Sequence, residues 1–97
     1  MRPFDLSPAA EQDLEEIVDF YMDVNPDYAD RLLQAISQRA WLQSRMPKIG
    51  TDRSSWRPGL RSRVVEGYLV FFVWKQDRLR LARIMHGARD IGADDFE

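Results

Sequence analysis

The segment Tyr68-Leu69-Val70-Phe71-Phe72-Val73-Trp74 is apolar at nearly every position. A strand with no polar side needs a paired neighbour along each edge and cover over each face. It therefore belongs at the centre of a sheet, with helices packed on one face and at least partial cover on the other. Seven residues are far too few to cross a bilayer, so the run is core rather than membrane anchor. In a chain of 97 residues, which buries only about two-thirds of its surface, this strand organises a single small domain.

The remaining elements follow from periodicity and punctuation. Phe4-Asp5-Leu6 is a short, partly alternating stretch that suits an edge strand. Ser7-Pro8 then supplies a helix cap followed by proline at the first helical position. Ala10, Leu14, Ile17, Val18, Tyr21 and Met22 recur at three-and-four spacing, with Glu11, Asp13, Glu15, Glu16 and Asp19 around the rest of the helix. Asn25-Pro26 repeats the cap-plus-proline signal, and Ala29, Leu32, Leu33, Ile36 and Ala40 form the stripe of a second helix, completing an antiparallel hairpin. Met46-Pro47 stops it. Residues 47–59 have the Pro, Gly and Ser content of a loop, long for so small a domain and for that reason a candidate for function. Leu60–Val65, Tyr68–Trp74 and Leu79–His86 then read as a three-stranded meander. The expected class is α+β: a helical hairpin on a small antiparallel sheet, with a short N-terminal edge strand.

Charge is unevenly distributed along the chain. Residues 1–30 carry a net −8, residues 31–89 a net +10 and residues 90–97 a net −4. Twelve of the fourteen bases are arginine, whose planar fork binds phosphate and carboxylate bidentately. If Leu60, Ser62 and Val64 face the helices, alternation sends Arg61 and Arg63 to the opposite face. The final strand has two possible phases. With Ala82 and Ile84 inward, Arg83 joins Arg61 and Arg63 in a positive cluster; with Leu79 and Leu81 inward, the cluster dissolves.

Composition narrows the chemistry. There is no cysteine and one histidine, His86, so thiolate catalysis is excluded and neither cofactor nor metal is expected. The N-terminal residues lack a signal-peptide pattern, which points to the cytoplasm. Neither helix is basic enough on its exposed face to lie in a major groove, so sequence-specific DNA reading is not expected. Trp56 lies in the polar loop, where it either anchors a partner or folds back as a lid. Trp41, off the main stripe of the second helix, suggests that a partner covers a further apolar side.

The ordered set Arg57-Pro58-Gly59-Leu60-Arg61-Ser62, Tyr68-Leu69-Val70-Phe71-Phe72 and Ile84-Met85-His86-Gly87-Ala88-Arg89-Asp90, with the opening Leu6-Ser7-Pro8-Ala9-Ala10-Glu11-Gln12-Asp13-Leu14, resembles the ParE branch of the RelE/ParE toxin superfamily. The resemblance covers roughly residues 4–91. It implies the toxin half of a bacterial type II toxin–antitoxin module, forming a hetero-oligomer with an antitoxin whose flexible segment folds upon it. For ParE-type chains it implies DNA gyrase as the target, with Arg61, Arg63, Arg83 and Arg89 as contacts and Trp41 and Trp56 toward the antitoxin.

Two alternatives come with it. RelE-type relatives are metal-independent mRNA endoribonucleases acting on the ribosome, and under that reading Arg61, Arg83 and His86 hold phosphate and move protons. Gly87 after His86, and the lack of tyrosine in the last eleven residues, favour the ParE side. The other alternative is a toxin-like chain that has lost poisoning activity and persists as an antitoxin-binding partner.

Overall fold

The computed structural model describes residues 4–87 and 89–96. In chain order the elements are β1 (Phe4–Leu6), α1 (Pro8–Val24), α2 (Pro26–Arg45), β2 (Thr51–Asp52), β3 (Leu60–Val65), β4 (Tyr68–Lys75), β5 (Arg78–His86) and a 3₁₀ turn, Ala93–Phe96. The strands form one sheet in the order β1-β5-β4-β3-β2, with the apolar β4 at its centre.

Both helix starts form as the cap signals dictate. The Ser7 hydroxyl accepts the Ala10 N–H at 3.0 Å and donates to the Ala82 carbonyl at 2.7 Å, so the α1 cap also ties the helix to β5. Asn25 alone joins the helices. Its side-chain oxygen accepts the Tyr28 N–H, capping α2, while its own N–H closes the last turn of α1 on the Tyr21 carbonyl. Ala10, Leu32, Ile36 and Ala40 pack on Val70, Phe72, Leu79, Leu81 and Ile84, forming the core between helices and sheet. The second face carries Leu60, Phe71, Val73 and Ala82, covered by Trp56, Ile91 and Phe96. The central strand is thus covered on both sides.

Three expectations are corrected. The sheet is mixed rather than antiparallel, because β1 runs parallel to β5 with Phe4 opposite Leu79 and Leu6 opposite Leu81. The apolar pattern puts Phe4 and Leu6 on the helix face but carries no information on direction. The loop 47–59 contributes a fifth strand, β2, paired antiparallel to β3 over two exposed residues and too short to have a period. Lastly, the β3 phase is reversed: Val65 packs with the helices, and Leu60 lies on the second face.

The ambiguity in β5 resolves through a bulge. Leu81 pairs with Phe72 and Arg83 with Phe71, leaving Ala82 as the extra residue. Leu79 and Leu81 before it, and Ile84 after it, all reach the helix-side core. No regular alternation describes such a strand, and this phase dissolves the Arg61–Arg63–Arg83 cluster.

Candidate functional site

Each arginine singled out from the sequence has a definite position. Arg61 turns toward the β2 edge, where its Nε donates to the Ile49 carbonyl at 3.1 Å and its Nη2 to the Gly50 carbonyl at 2.9 Å. It fastens the loop leaving α2. Gln43, fully buried, assists by donating to the Pro47 and Ile49 carbonyls. Gly50 completes the arrangement at φ +89°, where a Cβ would lie 2.6 Å from the Ser62 carbonyl oxygen. Arg63, next on the same face of β3, is half-buried, and among the described residues its Nη1 has no hydrogen-bond partner. Burial, reinforced by the charge of Arg39, holds its pKa below the usual arginine value.

Arg83 occupies the other side of the sheet. β1 ends opposite Leu81, so β5 continues beyond it without a strand partner on that edge. Asp13 of α1 fills the gap. Its carboxylate accepts Arg83 Nε at 2.7 Å, Arg83 Nη2 at 3.0 Å and the Ile84 N–H at 3.0 Å. The hydrogen bond that Arg83 donates to Asp13, against the opposing effect of burial, raises the Arg83 pKa further. Arg89 donates to Asp95 at 2.9 Å and ties the C-terminal turn back to the end of β5.

Past this ion pair, α1 and the end of β5 enclose an open groove of about 330 Å³, lined by Ile17, Phe20, Tyr68, His86 and Arg89. His86 is exposed and meets the Tyr68 ring edge-on at 5.3 Å. The structure thus brings His86 and Arg89 together, with Arg83 alongside through Asp13. Arg61 and Arg63 lie across the central strand, two strand spacings or about 9.5 Å away at the backbone. Trp41 is exposed and stacked by Arg45, whose guanidinium carbon lies 5.2 Å from the ring centre. Trp56 folds back over the second face, 6.1 Å from Phe71 and 6.0 Å from Phe96 between ring centres, adopting the lid position. Sequence reasoning missed Asp13, which looked like any other acid on the solvated side of α1. It also missed Gln43, which the stripe Ile36–Ala40 pointed to at its next three-residue step.

Tyr68 gives this groove a measurable pH response. Burial first, and then its hydrogen bond with Tyr21, push its hydroxyl up to about 12 from 10.0. The folded chain holds this proton more tightly than the unfolded chain, so its stabilising effect is complete below pH 10 and is lost as the pH rises from 10 to about 12. Thermal melts across that window, read with tyrosinate absorbance, are expected to fall more steeply for the natural chain than for Tyr68→Phe; parallel curves would show that Tyr68 is not responsible.

The sequence model of the family described as the ParE toxin of type II toxin–antitoxin system, parDE, matches residues 4–91. The chain belongs to the ParE toxin family. Among solved structures it is similar to a chain of the chromosomal ParDE TA system from P. aeruginosa, with a TM-score of 0.69 and 24% identity over 86% of this chain and 92% of that one. That likeness confirms the fold of two helices on a five-stranded sheet. No curated protein matches the sequence. Among the described residues of this ParE-family chain, no cluster of three or more His, Asp or Glu side chains could hold a metal ion, and no helix is long and apolar enough to cross a membrane.

Proposed function

We propose that this ParE-family chain acts in the cytoplasm as a toxin that inhibits DNA gyrase and is neutralised by a cognate antitoxin. The observation that carries the reading, beside family membership, is the dispersal of the ribonuclease candidates. Metal-free cleavage requires a base, an acid and a cationic clamp converging on one phosphate. Arg61 instead holds backbone carbonyls at the β2 edge, while Arg83 is engaged by Asp13 near the opposite edge. A surface that binds a protein target needs no such convergence.

Of the four arginines proposed for the target, Arg89 and Arg63 are the direct contacts. Arg89 is half exposed despite its ion pair, and Arg63, whose Nη1 is buried, meets the target through the part of its side chain left at the surface. Arg61 and Arg83 act by fixing the backbone on either side of β4. On the antitoxin side, exposed Trp41 with Met46 on the last turn of α2 and its cap offers an apolar foothold, and Trp56 contributes through the cover of the second face.

The test incubates the antitoxin-free chain with gyrase, ATP and relaxed plasmid. Loss of supercoiling with accumulation of protein-linked linear DNA is expected, and Arg63→Gln with Arg89→Gln is expected to abolish it while circular dichroism shows the double variant still folded. Gyrase unaffected by folded chain would overturn the reading.

A further inference from the structure

The end of the β4–β5 hairpin carries a concentration of positive charge. On the second face of the sheet, Lys75, Arg78 and Arg80 join Arg57 of the β2–β3 loop around a cleft of about 270 Å³. Asp5 is the only carboxylate lining it among the described residues, leaving a net charge of about +3.

Two features set this cleft apart from a merely solvated face. Lys75 and Arg78 are direct cross-strand partners, an arrangement of like charges that destabilises a hairpin. Their spacing is held by a two-residue turn with Gln76 at φ 52° and Asp77 at φ 59°, a left-handed conformation that glycine or asparagine adopts more easily. A sequence selected for folding alone would place an acid at one of the paired positions and glycine in the turn.

The cations also differ in how they are engaged. Asp5 accepts Arg80 Nε at 2.9 Å and approaches Arg78 Nη2 at 3.6 Å, orienting both guanidiniums while each remains about half exposed or more. The hydrogen bond from Arg80 holds the Asp5 carboxyl below its usual range. Arg57 and Lys75 have no carboxylate within 4.0 Å among the described residues.

We infer that this cleft binds the phosphodiester backbone of a nucleic acid without reading its sequence. An acidic peptide would need apolar anchors beside its charges, and among the described residues the only apolar one lining the cleft is Val73, itself buried. Among the described residues no aromatic ring lines it for a base to stack on. Forked and pointed cations over a polar floor are the usual partners of phosphate oxygens. The inference does not require gyrase to be the target.

Fluorescence anisotropy with the purified full chain tests it. The probes are two labelled DNA duplexes of unrelated sequence, about 20 base pairs each, and a single-stranded RNA that separates the two sources of phosphodiester. Equal affinity for both duplexes is expected. With about three phosphates neutralised, affinity should fall about 40-fold between 50 and 200 mM salt, but only about 3.5-fold in the double variant Arg57→Gln, Lys75→Gln. Neither residue is ion-paired among the described residues, and losing the Lys75 charge relieves its repulsion with Arg78, so the variant should keep or slightly raise its melting temperature. Binding of the RNA alone, with a fall of about 18-fold over the same salt range, supports the inference and assigns the source to RNA. Failure of all three probes to bind, an unchanged salt response in the variant, or binding of polyglutamate in their place would overturn it. Duplex binding without effect on gyrase would sink the target reading and leave this one standing, and gyrase inhibition without nucleic-acid binding would do the reverse.

Discussion

Replacing Asp13 with alanine is expected to cost the domain about 3 kcal/mol, the range for removing one partner of a buried charge pair. For a domain of this size that lowers the melting temperature by roughly 12–24 °C. The reason lies in what one carboxylate does: it neutralises Arg83, and it accepts the Ile84 N–H at the point where β1 no longer pairs with β5. Both groups sit where water replaces the lost partner poorly, the two charged side chains being only 20% and 14% exposed. Asp13→Asn keeps an acceptor for the amide but not the charge, so an intermediate loss is expected. Asp13→Leu with Arg83→Met removes both charges and should recover most of the Arg83 penalty, leaving the cost of one unpaired amide. The exposed pair of Asp5 with Arg80 is the control, since Asp5→Ala should change stability by about 1 kcal/mol or less. Chemical denaturation of the five chains checks the ranking, and equal losses for Asp13→Ala and Asp5→Ala would show that the Asp13 contacts are not what holds α1 to β5.

That ion pair also shows how far the sequence could be read. The helix starts were legible because Ser7-Pro8 and Asn25-Pro26 are local signals, and the central strand because Tyr68–Trp74 leaves no polar side. The faces of the arginines were not legible. One extra residue, Ala82, flips the phase of β5 halfway along, and a bulge of this kind leaves no mark in hydrophobic periodicity. The parallel pairing of β1 and the two-residue β2 depend on which edges remain free after folding, a tertiary matter. The positive cluster expected from Arg61, Arg63 and Arg83 does not form; the cations gathered on the second face are Lys75, Arg78, Arg80 and Arg57. With Leu79 and Leu81 inward, alternation places Arg78 and Arg80 together on the second face.

Phe71→Ala is the second large effect, with an expected loss of about 3–5 kcal/mol. Phe71 is fully buried, yet no helix covers it: its lid is Trp56 from the β2–β3 loop and Phe96 from the C-terminal turn, with ring centres at 6.1 and 4.7 Å. Truncating it removes the ring on which both covers rest, so protease should reach the β2–β3 loop and the segment after Arg89 sooner than in the natural chain. Trp56→Ala removes only one half-buried cover, and about 1–2 kcal/mol is expected. This comparison separates the two tryptophans proposed for the antitoxin. Trp41 is 51% exposed, so Trp41→Ala should leave the free chain's stability within about 0.5 kcal/mol of natural while weakening antitoxin binding. Trp56→Ala should lower the stability of the free chain first and affect antitoxin binding only through that loss. Denaturant melts of the free variants, set beside their affinity for the co-purified antitoxin, decide the assignment. A Trp56→Ala chain as stable as the natural one but unable to hold the antitoxin would make Trp56 an anchor that merely rests on Phe71 until its partner arrives.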